Sequence, residues 1–313
     1  TYPFFEDYGI HNFKSVSLRN MGQDWGSTRL RDAFCMMAVK NLNLDTMQTR
    51  FAVVYINGQY WGLYEFKENQ NEDYLAVKYG IDPDKVELIR NNTTAYKGTN
   101  EQIKKLYEIA KSGDMNDPET FKKLTDIADE AYFMDYLIAT VYFTNSDAYN
   151  QKYAHTNDNS LKWRPLFFDL DWSHMYNNPR RSILAAYLNP DGIPIGKPDA
   201  NGNRTKMNTS VYCALMANDG WRERFIERCA YLMNNDFSDE TLLALYDSMV
   251  EQISGEMPRT VERWHQPASM QAWEENVSKL RDTLAARRAY FKETLRTTFH
   301  LSDARMAELF PNG

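Results

Sequence analysis

A chain of 313 residues, 43% hydrophobic and 14% aromatic, can bury a sizeable core and does not have the composition of a disordered segment. The formal net charge of −7 argues against a general nucleic-acid binder, and no apolar run is long enough to span a bilayer. Cys35, Cys213 and Cys229 lack zinc-ligand spacing and are odd in number, so buried free thiols are expected rather than a complete disulfide framework.

Residues 1–13 are aromatic and acidic without a clear period. Residues 14–20, KSVSLRN, alternate apolar and polar positions and predict a strand. A turn carrying Asp24 follows, and Ser27 is placed to cap a helix over residues 29–41. The run RFAVVYINGQYWGLYEFKE predicts two strands joined by Asn57-Gly58, which supplies the positive φ of a type I′ turn. Gly62, inside the second strand, marks a bulge or a close approach by another group. Lys67 and Glu68 lie at a strand-to-helix junction, and the helix after them is stopped by Gly80. VELIR predicts a short buried strand, and NNTTAYKGTN reads as a polar loop. Residues 101–111 show helical spacing. Asp117-Pro118 starts a helical pattern that runs to about Phe143, with a break near Thr125.

The stretch over residues 145–171 carries the chemistry. It offers Asp147 and Asn150 in a polar turn, then a strand in which Phe167, Asp169 and Asp171 share one face. Two carboxylates so placed repel unless a cation lies between them. A hard divalent ion, held by one or two carboxylates with phosphates and water, answers that need. The alternative is a solvated strand end, since an Asp-x-Asp pair is weak by itself. Residues 177–206 read as a long loop, within which DANGNRT is a turn rather than a calcium loop. The remainder is helical over residues 207–216, 221–233, 239–255 and 271–299, with Ser238 and Ser302 as caps. His155 and His174 are expected as hydrogen-bonded surface groups, and Trp61, Trp163 and Trp172 as core.

The order of these parts, a small sheet with a helix and then a helical region holding Asp, Asn and a later Asp, is that of protein kinases. Four blocks carry a closer likeness: LRNMGQDWGSTRLRDAF, YINGQYWGLYEFKE, Asn145-Ser146-Asp147 with PLFFDLD, and the late Arg287-Arg288-x-Tyr290 helix. Through them nearly the whole chain resembles the CotH kinases, atypical kinases named from spore coat protein H. The resemblance implies an α+β, protein-kinase-like two-lobed fold. Residues 1–95 would form the small antiparallel-sheet part, and residues 96–313 a mainly helical part with the catalytic segment. It implies ATP and Mg or Mn as cofactors and Ser/Thr hydroxyls of surface or coat proteins as acceptors. By position, Asp147 resembles the catalytic base and Asp169 the metal carboxylate, with Asp171 and Asn150 as further ligands. Arg19, Lys67, Glu68 and Gly62 are the candidates for nucleotide contact, Glu68 resembling the acid that pairs with the phosphate-binding lysine.

Three features depart from the pattern. The kinase offset for the metal-binding Asn lands on Lys152, Trp172-Ser173-His174 replaces a glycine after the acidic pair, and no clear lysine strand precedes the Arg-Asn block. A non-enzymatic surface or binding protein on the same fold is therefore the second reading, and a nucleotide-sugar transferase using the Asp-x-Asp pair the third. A monomer outside the cytoplasm is expected from the resemblance, with no membrane span in this chain and no nucleic acid among its partners.

Overall fold

A computed structural model describes residues 3–5, 8–147, 150–174 and 177–311. Three antiparallel strands open it in the order β1-β3-β2: β1 (Val16–Arg19), β2 (Thr49–Ile56) and β3 (Gln59–Glu68). Asn57 and Gly58 take φ of 52° and 76°, the pair of positive angles that the tight hairpin requires. Arg19 lies opposite Glu65, and Ser17 and Thr49 both lie opposite Lys67. Strand alternation therefore puts Arg19, Glu65 and Lys67 on one face. On the other face Phe66 packs against Phe4 and Phe5, at ring distances of 5.3 and 5.5 Å.

Helix α1 (Arg31–Ala38) is shorter than the expected 29–41, and Ser27 does not cap it. Arg29 adopts φ of 64°, which breaks the helix before it starts, and Asp24 takes over the capping. Its carboxylate accepts the backbone N–H groups of Thr28, Leu30 and Arg31 at 2.8–3.1 Å. Helix α2 (Glu72–Tyr79) runs from the Asn71 cap to a left-handed Gly80.

A second antiparallel sheet has the order β5-β4-β6-β7: β4 (Val86–Arg90), β5 (Thr94–Lys97), β6 (Lys152–Thr156) and β7 (Arg164–Pro165). Two of these strands correct the sequence reading. β5 lies where a polar loop was expected, and β6 follows directly on the polar turn. β4 is buried along Val86, Glu87, Leu88 and Ile89, so both of its edges need partners. β6 is buried throughout although it reads KYAHT, because its polar side chains find fixed partners: Lys152 donates to Gln70 O and His155 meets Glu87 Oε2 at 2.7 Å. Both expected surface histidines, His155 and His174, are buried.

The strand expected to end in Asp169 and Asp171 is also corrected. Pairing stops at Pro165, Leu166 and Phe167 are both buried, and Asp169 turns left-handed at φ of 58°.

The helical part comprises α3 (Glu101–Ile109), α4 (Pro118–Thr125), α5 (Glu130–Tyr142) and α6 (Leu184–Tyr187), then α7 (Ser210–Ala217), α8 (Asp219–Asn234), α9 (Asp239–Ser254), α10 (Met257–Trp264), α11 (Met270–Phe299) and α12 (Asp303–Leu309). Asp117, Ser238 and Ser302 cap α4, α9 and α12 as expected. α10 was not foreseen, and neither was the two-stranded pair β8 (Ile193–Ile195) and β9 (Thr205–Met207) inside the long loop. α5 is hydrophobic nearly all round and runs through the core, which is how a fully enclosed helix reads. Trp163 is buried, while Trp61 and Trp172 are half-buried. No described helix is long and apolar enough to cross a membrane. The chain is thus mixed α/β, with small antiparallel sheets and a mostly helical C-terminal part.

Candidate active site

The face of β1 and β3 that carries Arg19, Glu65 and Lys67 meets the turn at Asp169. Arg19 donates from one nitrogen, Nη2, to both Asp169 Oδ1 and Asp171 Oδ2, the latter at 3.1 Å. The cation demanded by the two acids is thus, in this structure, a guanidinium of the same chain. Asp171 is held further by the backbone N–H of Gln23 at 2.5 Å. Gly22 makes room for it, since a Cβ there would overlap the Asp171 carboxylate.

Asp32, in the first turn of α1, joins everything in this cluster. Its Oδ2 accepts from Lys67 Nζ and from Arg19 Nη1, the latter at 3.3 Å. Its Oδ1 accepts the backbone N–H of Leu170 at 2.7 Å, the residue between the two acids. One carboxylate therefore fixes the sheet's two cations and the turn that aims Asp169 and Asp171. Burial works against its charge, but Lys67 and Arg19 hold Asp32 down at about 2. Burial would also strip the Lys67 proton, yet Asp32 and Glu65 raise its pKa above the ordinary lysine range. Glu65 lies 3.7 Å from Lys67 Nζ, and burial together with the Asp32 charge pushes it up to about 8. Asp171 is pushed up to about 6 by burial, although Gln23 N–H and Arg19 favour its charged form.

Asp147 and Asn150 come to the same point from the other side. Asn150 Nδ2 donates to Asp169 Oδ2, and Asn150 N donates to Asp147 O at 3.3 Å. Asn145 braces the turn, with its Oδ1 accepting from Asp147 N at 3.2 Å and its Nδ2 donating to Asp169 O at 3.5 Å. Burial, and then the nearby Asp169 charge, raise the Asp147 carboxyl above the usual range. Lys152 stands beside them with its ammonium 4.3 Å from the centre of the Phe168 ring and 3.2 Å from Gln70 O. Burial, with Arg90 and Lys67 adding to it, brings Lys152 down to about 8 against the pull of Asp169.

These groups can be tested against a divalent ion. Asp169 supplies hard oxygen donors, and half a turn of the Asn150 amide puts a second kind, its side-chain oxygen, where its nitrogen now meets Asp169. Among the described residues no three or more His, Cys, Asp or Glu side chains gather as an all-protein cage. A magnesium-type site with few protein ligands, completed by phosphate and water, needs none. The donor set fits.

Two expected members stand elsewhere. Glu68 turns to the opposite face of β3, accepts Gln48 N at 2.8 Å, and has its carboxyl raised by burial. The acid that pairs with Lys67 is Asp32 instead. Gly62, with φ of 124°, faces Trp264 of α10, whose indole nitrogen would lie 2.9 Å from a Cβ. Its space is taken by that indole. Neither Glu65 nor Asp32 was among the candidate site residues of the sequence reading. A signal existed for Glu65: it and Lys67 are charged at alternate positions of β3, on either side of Phe66.

The fold and this cluster define a mixed α/β protein in which a small sheet's cations meet the acids of a helical part. A family model described as CotH kinase protein matches residues 2–291, and the chain belongs to the CotH kinase family. A search of curated proteins finds no match to the chain.

Proposed function

We propose that this chain is a metal-dependent atypical protein kinase, arranged as two lobes in the manner of protein kinases, that transfers the ATP γ-phosphate to Ser or Thr hydroxyls of surface or coat proteins outside the cytoplasm. The observation that carries this reading is the Asn150–Asp169 contact, with Asp147 in the same turn within reach of the Asp169 charge, faced by Arg19 and Lys67 from the small sheet. Bound Mg or Mn with ATP supplies charge neutralisation at the phosphates and the phosphoryl group itself. Asp169 and Asn150 would hold the ion, with Asp171 orienting Arg19. Asp147 accepts the proton of the acceptor hydroxyl as its oxygen bonds to the γ-phosphorus and ADP departs. Its raised carboxyl makes it a better base than a solvated aspartate. Lys67, fixed by Asp32, and Arg19 supply positive charge toward the phosphates.

Thermal shift is the direct test. Stabilisation by ATP with Mg or Mn, and none by nucleotide sugars, is expected. Asp147→Asn should bind the nucleotide as the parent chain does, yet lose at least about 100-fold in phosphate transfer to a Ser/Thr peptide mixture. Unchanged transfer in that variant removes Asp147 from the role of base.

A binding protein that keeps the fold without turnover is the second reading. It is favoured by Arg19, which already neutralises the two acids, and by Lys152 at the asparagine offset. Absence of any nucleotide-dependent shift selects it. Nucleotide-sugar transfer is disfavoured by the small antiparallel sheets, which lack a parallel βαβ series.

A further inference from the structure

In kinases the residue five positions after the catalytic aspartate is an asparagine that holds the second of two metal ions. Here that position is Lys152, buried at 8% exposure in β6. A protonated lysine has three donors and no acceptor, so it cannot ligate a metal. It can neutralise and hydrogen-bond a phosphate oxygen. Its surroundings leave that capacity unused. Among the described residues its ammonium makes no ion pair, and its partners are the Gln70 carbonyl at 3.2 Å and the Phe168 ring. Asp169 attracts it, while Arg90 and Lys67 repel it. A buried ammonium set among like charges, with only a neutral carbonyl and a ring face as partners, is costly to maintain. An anion at the Asp169–Asn150 point relieves that cost.

We infer that Lys152 stands in for the second metal ion, so that this site takes a nucleotide polyphosphate with one divalent cation instead of two. The inference rests on the nucleotide-binding reading above and deepens it. It also turns the departure at Lys152 from a sign of degeneracy into a different way of balancing the phosphate charge.

The experiment counts ions. Manganese binding to the full chain is measured by equilibrium dialysis and by the spin-resonance signal of free Mn, at saturating imido analogue of ATP. The expected result is about one ion per chain for the parent and about two for Lys152→Asn, which restores an oxygen ligand. Lys152→Met should bind the analogue about tenfold more weakly, the loss of one charge-assisted hydrogen bond, with its Mn count unchanged. About two ions in the parent chain, or equal analogue affinity in a Lys152→Met variant that melts normally, overturns the inference while leaving nucleotide binding intact. Failure of the analogue to bind the parent chain at all overturns both. If either variant fails to fold, the ion count on the parent chain alone decides.

Discussion

The fold leaves both carboxyl oxygens of Glu65 buried without a hydrogen-bond donor, with Lys67 Nζ at 3.7 Å. Its pKa of about 8 against 4.5 for a free side chain means that the folded chain holds an extra proton between those two values. A state that binds more protons is favoured at low pH, so this group's contribution to stability is full below 4.5 and is lost as pH rises through about 8. Glu65→Gln has no such proton to lose. Its melting temperature relative to the parent chain should therefore climb between pH 5 and pH 9, whereas a constant difference across that range would mean that Glu65 does not titrate there. Asp32 has the opposite sign: depressed to about 2, it contributes stability above the ordinary aspartate range that is lost as pH falls through its folded value. The Asp32 role was not written in the sequence. Asp32 looks like any acid in a helix's first turn, and its partners Lys67 and Leu170 lie far along the chain. Asp147, Asn150 and Asp169 could be found because they share one short segment and a recognisable order.

Among the elements, those set by local chemistry were legible. The Asn57-Gly58 hairpin, the stop at Gly80 and the caps at Asp117, Ser238 and Ser302 each rest on residues within a few positions of one another. β6 was not legible, because its lysine and histidine disguise a buried strand until Gln70 and Glu87 are in place. The segment after Pro165 failed for the same reason, its turn being fixed by a hydrogen bond from Leu170 to Asp32. α10 is short and strongly two-faced, and its role appears only where it touches β3: Tyr60 meets Thr260 at 2.7 Å, and Trp264 donates to Trp61 O at 2.5 Å. Gly62 is the close point of that contact. Gly62→Ala combines a positive φ with a Cβ 2.9 Å from the Trp264 indole nitrogen, and should lower stability by about 1–3 kcal/mol in urea unfolding. A neutral result would show that α10 moves away freely.

On the scale of the molecule, α11 reaches back to the start of the candidate site. Arg287, fully buried, donates to four carbonyls: Val141 and Tyr142 at the end of α5, and Pro179 and Arg181 in the loop after the acidic pair. A guanidinium at a helix C-terminus also meets the negative end of the helix dipole. It thereby fixes the end of α5 just ahead of Asn145 and Asp147. Arg287→Met leaves the Val141 and Tyr142 carbonyls buried without that donor. A loss of at least about 3 kcal/mol is expected by urea unfolding. A variant that melts like the parent chain would show that water replaces the guanidinium without cost.

Charge contacts cross the division at residue 95 that the resemblance implies. Asp32, Arg19 and Lys67 come from before that point, and Asp169, Asp171 and the Leu170 amide from well after it. The small sheet together with α1 is consequently not an interchangeable module. A replacement borrowed from another protein could match the backbone and still fail, unless it brought a guanidinium to neutralise the downstream acids and a carboxylate to anchor their turn.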